Sequence, residues 1–290
     1  MLVNIILTLI VIVNGLFVYS FIKDLKLHWS ELKDEPGNPI TMFISQFIIY
    51  FLSTFGISDF AIGAALYPKM KWVNAKRLPG TLNTACVIPV ATMALAYITS
   101  IEVALPTLIV AIVAQVIGAY ISPKFVVKLP ARTIKYLVSI GLFVAAAVIL
   151  AGKFGWMPAG GTATGLTGWK LVVLGIGSFI FGAFNNMGIG SYALTMATVF
   201  ALGLDPRIAF PIMMGACTFS VPVGSMQFIK LDAYSRKITL FSATAGVIGV
   251  LIAVFIVKSL DVSILQWVVV AVILYSALSL LSSLRQSEEE

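Results

Sequence analysis

From its first residue the chain alternates long apolar runs with short polar breaks. Met1–Ile22 is almost wholly apolar, the polar stretch KDLKLHWSELKDEPGNP follows, and apolar runs of 18 or more residues then recur to the carboxyl end. Each such run is enough to cross a hydrocarbon core of about 30 Å, so the pattern predicts an all-α polytopic membrane protein. Two runs are interrupted from within. One carries GISD at 56–59, and the other carries FNNMGIGSYA at 184–193, flanked by KLVVLGIGSFIFGA and LTMATVFALG. The second interrupted run, Trp169 to Leu204, has 36 residues. Wholly helical it would measure roughly 54 Å at ~1.5 Å per residue, too long for one crossing and slightly short for two. Two half-helices meeting near the membrane centre fit that length.

Comparison of the chain with itself reveals an internal repeat at an offset near 131. GISDFA (56–61) aligns with GIGSYA (188–193), VIGAYISPKFVVKL (116–129) with VIGVLIAVFIVKSL (247–260), and Cys86 with Cys217. Each half thus holds one broken helical hairpin followed by three plain transmembrane helices. The expected organisation is an N-terminal helix at 1–22, a cytoplasmic loop at 23–40, repeat 1 at 41–151, a Gly-rich linker at 152–168, repeat 2 at 169–284 and a charged tail at 285–290. Met1–Ile22 has no basic n-region and no A-x-A site before its charged end, so it reads as a retained helix.

Charge then selects a topology. If both interrupted runs crossed once, the 19 lysines and arginines would divide 10 to 9 across the membrane. If both are re-entrant and return to the side they entered, the division is 15 to 4, as cytoplasmic positive bias requires. The prediction is therefore seven full spans and two re-entrant hairpins in the cell membrane, N-terminus outside and C-terminus cytoplasmic. Three net crossings per half make the two repeats inverted.

Composition narrows the chemistry. The chain is 60% hydrophobic and 11% charged, with a mean hydropathy of +1.03. Its net charge of +7 accompanies no basic stripe interleaved with exposed aromatics, so no nucleic-acid partner is expected. Two cysteines in apolar runs and a single histidine, His28, argue against a disulfide framework, a metal site or serine–histidine chemistry, and no cofactor is expected. An aspartyl intramembrane hydrolase needs two paired carboxylates, and only Asp59 lies well inside an apolar run. No Walker motif is present. The protein is not expected to be an enzyme.

Irregular backbone at membrane depth is tolerated where it is buried in protein or lines a wet cavity. In inverted-repeat carriers, broken helices present their amino termini to a central ligand. Here the second half-helices would begin near Gly56 and Gly188, and their free N–H groups would behave as partial positive charges. The candidate binding set is Gly56, Ser58 and Asp59 at the first tip and Asn185, Asn186, Gly188, Gly190 and Ser191 at the second. Asn83, Thr84, Thr218 and Ser220, on the helices that follow, complete the wall. The glycines serve equally for close helix packing. Asp59 has three readings: a cap for its helix, a proton-coupling carboxylate, or a ligand contact. Cys86, Cys217, Gln46 and Gln115 read as packing or interhelical residues.

The paired breaks GISD and GIGS, together with LDPRIAFPIM at 204–213, resemble the sulfite exporter TauE/SafE (TSUP) family of membrane transporters over about residues 40–284. That resemblance implies a secondary transporter of sulfite, organosulfonates or related sulfur-containing or carboxylate anions, with export the usual direction. Many members carry a glycine triplet after Gly-Ile, where this chain has Ser58-Asp59 and Gly190-Ser191. The partners expected are the lipid bilayer, the anionic substrate and coupling protons, with a homodimer as a further assembly. An anion channel of the same architecture is the alternative.

Overall fold

The computed structural model describes residues 2–54, 58–97, 103–156 and 162–256, together with Leu274 and Leu278. They form helices α1 (Leu2–Leu27), α2 (Trp29–Asp34), α3 (Pro39–Ser53), α4 (Asp59–Lys69), α5 (Leu78–Tyr97), α6 (Leu105–Ile121), α7 (Pro123–Val126), α8 (Ala131–Lys153), α9 (Gly168–Asn186), α10 (Tyr192–Ala201), α11 (Pro206–Lys230), α12 (Arg236–Phe241) and α13 (Val247–Ile256). A π-helical turn, Ser242–Gly246, joins the last two. Among the described residues, six stretches are long and apolar enough to cross a membrane: Val3–Leu27, Leu78–Ala96, Leu105–Val126, Gly168–Asn186, Pro211–Lys230 and Arg236–Phe255. The molecule is an all-α, multi-pass membrane protein. The helix predicted beyond residue 260 and the tail at 285–290 lie outside the described residues.

Local chemistry sets the helix ends. Asn38 Oδ1 accepts from the N–H groups of Ile40 and Thr41, and Pro39 opens α3 where its missing donor costs nothing. Ser58 caps α4 and Ser235 caps α12 in the same way. α1 runs on past the expected boundary at 22 to Leu27, which carries Asp24 on the helix.

α5 and α11 form the centre of the bundle: 83% of the most apolar stretch of each is buried, against 28% for α1 and 22% for α9. Both helices continue through an internal proline, Pro89 and Pro222. Proline has no N–H, so Pro222 leaves the Thr218 carbonyl without its helical donor. The side-chain amide of Asn14 supplies one from α1, at 3.1 Å. α9 was expected as the first half of a broken run; it is 19 residues long and among the six. Its glycines do not break it because they serve packing. A Cβ on Gly182 would fall 2.2 Å from the Gln115 carbonyl, and one on Gly118 would fall 2.0 Å from that of Phe179. α6 and α9 thus approach backbone to backbone.

At one end of the bundle, residues 24–37 are held against 232–237. The Arg236 side chain is 1% exposed; its Nε donates to Asp24 at 2.7 Å and its Nη2 to Asp232 at 2.8 Å. Glu35 accepts from the Arg236 and Lys237 N–H groups, each at 3.0 Å. Tyr234, in the linker before α12, donates to Asp24. Burial and that bond raise the pKa of its hydroxyl far above the usual tyrosine value.

Candidate functional site

Between α3 and α4 the chain breaks at 54–58, and Gly56 lies outside the described residues. Ser58 Oγ accepts from the Ala61 N–H at 3.2 Å, closing the first turn of α4. Asp59 begins that helix and is 9% exposed. Its Oδ1 accepts from Ser53 Oγ at 3.4 Å, and no lysine, arginine or histidine among the described residues pairs with it. On the far part of each helix, the Tyr67 hydroxyl of α4 donates to Gln46 Oε1 of α3 at 2.9 Å.

The second break, 187–191, is made differently. Gly188 and Gly190 have φ of +89° and +80°, left-handed values that residues with a Cβ rarely adopt. Just before them, Asn185 and Asn83 bond reciprocally: Asn185 Nδ2 donates to Asn83 Oδ1 at 2.8 Å, and Asn83 Nδ2 donates to the Asn185 carbonyl at 3.1 Å. This amide pair fastens the end of α9 to α5. Asn186 turns instead to α6, donating to the Ala119 carbonyl at 2.7 Å and to Ser122 Oγ at 2.8 Å.

After the glycines, Ser191 is 2% exposed and lies 3.1 Å from Cys217 Sγ. Gln115 of α6 reaches the same place, its Nε2 lying 3.0 Å from Ser220 Oγ, 3.4 Å from Ser191 Oγ and 3.5 Å from Cys217 Sγ. Gln115 is fully buried, and its Oε1 has no partner. A buried acceptor left open costs about 1–3 kcal/mol, and Gln46 Nε2 and Asn186 Oδ1 are open in the same way. Next to Ser191, a Cβ on Gly190 would meet nothing within 4 Å.

Leu82 of α5 packs between α4 and the second break. A Cβ on Gly63 of α4 would fall 2.8 Å from one methyl of Leu82, and a Cβ on Gly188 would fall 3.5 Å from the other. The structure gathers Ser191 and Ser220 around Gln115 and joins Asn83 to Asn185. It does not gather every expected residue. Thr84 faces Thr239 of α12 at 2.7 Å, and the Thr218 hydroxyl turns back to its own helix, 2.6 Å from the Met214 carbonyl.

Gln115 was read from the sequence as bonding to neighbouring helices, as it does, and Cys217 as a core filler; both meet the second break directly. The available signal was a lone amide in the otherwise apolar run LPTLIVAIVAQVIGAYI. The grouping of hydroxyls, amide and thiol can hold a polar ligand through hydrogen bonds, with the N-terminus of α10 beside it. Elsewhere, a cleft of about 230 Å³ is lined by Glu35, Trp72, Asn74, Arg77 and Ser235. Two of its charged groups are engaged, Arg77 with Asp232 at 3.1 Å and Glu35 with the start of α12, and Lys71 also lines it. Compared with protein-family models, curated proteins and solved structures, the chain has no match in any of the three.

Proposed function

We propose that the protein is a secondary transporter of a small anion, working by alternating access around its two helix breaks. The observation that carries this reading is the second break, where Ser191, Ser220 and Cys217 surround a fully buried Gln115 whose acceptor is unpartnered. Polar groups at apolar depth that are not consumed by one another favour a ligand site over a packing seam. On this reading α3–α4 and α9–α10 are re-entrant hairpins, each the first element of an inverted repeat. Two contacts support it: Gln46 with Tyr67, 21 residues apart, and Lys170 Nζ with the Leu202 carbonyl, 32 residues apart, at 2.9 Å each.

The cargo class follows from the helix starts, whose partial positive charge suits an anion without any lysine or arginine at the site. Resemblance to the TauE/SafE motifs points to sulfite, an organosulfonate or a related carboxylate, moved outward across the cell membrane. The N-terminus would then be outside and the C-terminus cytoplasmic. Purified protein should be stabilised against heat by at least one of sulfite, thiosulfate, propanesulfonate or propionate, and should catalyse saturable counterflow of that anion in vesicles. Ser191→Leu should abolish both responses while the protein remains folded; an unaltered ligand response in this variant would place the site elsewhere.

A further inference from the structure

Three packing contacts recur at the offset that relates the two halves of the sequence, and each joins one half to the other. A Cβ on Gly249 of α13 would fall 2.4 Å from the Phe47 carbonyl of α3, as one on Gly118 of α6 falls 2.0 Å from the Phe179 carbonyl of α9. Nearby on the same helices, a Cβ on Gly246 would fall 2.5 Å from the Tyr50 ring. At the matching positions, one on Gly182 would fall 2.2 Å from the Gln115 carbonyl. Thr84 of α5 lies 2.7 Å from Thr239 of α12, and a Cβ on Gly215 of α11 would fall 3.3 Å from Leu108 of α6. Phe47 and Phe179 are 132 residues apart and Gly118 and Gly249 are 131 apart, the offsets that align GISD with GIGS and Cys86 with Cys217. α3 and α9, which open the two interrupted runs, therefore each pack on a helix of the opposite half.

Backbone seated against backbone cannot slide without opening a gap or a clash, so helices joined this way move together. Two interlocked groups result. One comprises α3, α4, α5 and α12–α13, with a Cβ on Gly63 of α4 falling 2.8 Å from Leu82 of α5. The other comprises α6, α9, α10 and α11, where a Cβ on Gly224 of α11 would fall 2.7 Å from Asn186 Oδ1 and 3.2 Å from the Ala119 carbonyl. Gln115, Ser191, Cys217 and Ser220 all belong to the second group. We infer that the units that move during transport are these two groups, each built from both halves of the chain, and that the second carries the whole ligand cluster with it. The first group then closes the cluster from one face of the membrane or the other. The seam between them runs along α5 against α9, where the Asn83–Asn185 pair is a bond that must open. This inference rests on the transport reading above and replaces one repeat rocking against the other with two intertwined bodies.

The test uses full-length protein in lipid nanodiscs with paired spin labels carried on ketone side chains, so that both native cysteines stay. The labelled positions, Ile44 of α3, Val113 of α6, Val172 of α9 and Leu251 of α13, are all exposed. Distances are read by double electron–electron resonance without anion and with saturating sulfite, thiosulfate, propanesulfonate or propionate. Ile44 with Leu251, and Val113 with Val172, span the two halves but lie within one group, and each pair should keep a single distance throughout. Ile44 with Val113, and Val172 with Leu251, lie within one half but in different groups, and should shift by about 5 Å, one helical turn, with at least one anion. The reverse pattern would overturn the inference and make the halves themselves the moving units. Shifts in all four pairs, or in none while the same protein catalyses counterflow, would also overturn it and leave the transport reading standing. No shift and no counterflow would sink both.

Discussion

The break before α4 and the break before α10 begin from the same sequence plan and spend their serines differently. Ser58 turns inward on its own helix and accepts from Ala61, so the first turn of α4 is capped by its own side chain. Ser191 faces Cys217 and Gln115, on α11 and α6. The first break carries an acid, and the second reverses direction on two left-handed glycines. The second is also tied to α5 by the Asn83–Asn185 amide pair. The contrast bears on the proposed transport site: Ser58 is engaged by its own helix, whereas Ser191 meets the side chains of two neighbouring helices.

The contrast can be broken by mutation, and the largest effect on stability is expected at the amide pair. Asn83→Leu leaves both the Asn185 amide and its carbonyl without their partner on α5. That should cost about 1–2 kcal/mol, read as a lower unfolding temperature in detergent or nanodiscs. Asn83→Leu combined with Asn185→Leu should be less harmful than the sum of the two single changes. Strict additivity would mean that the pair does not fasten α9 to α5.

A smaller effect is expected at the first break. Ser58→Ala removes the cap of α4 and should cost about 1 kcal/mol with little change in ligand affinity. If Ser58→Ala instead abolished binding and Ser191→Leu did not, the roles of the two breaks would be reversed.

Much of this arrangement was legible in the sequence, for identifiable reasons. The breaks at 54–58 and 187–191 stood out because amides, hydroxyls and glycines interrupt runs that otherwise hold only apolar side chains. Asn83, Asn185, Ser191 and Ser220 were found for the same reason. The close approach of α9 to α6 was not legible, because nothing local relates Gly182 to Gln115 or Gly118 to Phe179. Gln115 was read as an interhelical residue, as it is, but nothing local names its partners Ser191, 76 residues away, and Ser220, 105 residues away. The Asp24–Arg236 pair spans 212 residues, and a count of loop charges treats both as ordinary surface groups. Thr84 and Thr218 show the converse failure. Polarity at apolar depth marks a candidate, but a hydroxyl can satisfy itself on its own helix or on a neighbour.

Cys217 sits in the cluster at the second break and is a free thiol, 4% exposed. It therefore offers the most direct measurement of alternating access. In a Cys86→Ala variant sealed into oriented vesicles, a charged, membrane-impermeant thiol reagent should label Cys217 from either side of the membrane. Bound substrate should slow the reaction from both. Labelling from one side only, or a rate indifferent to substrate, would contradict a ligand site at the second break that opens to the two faces in turn.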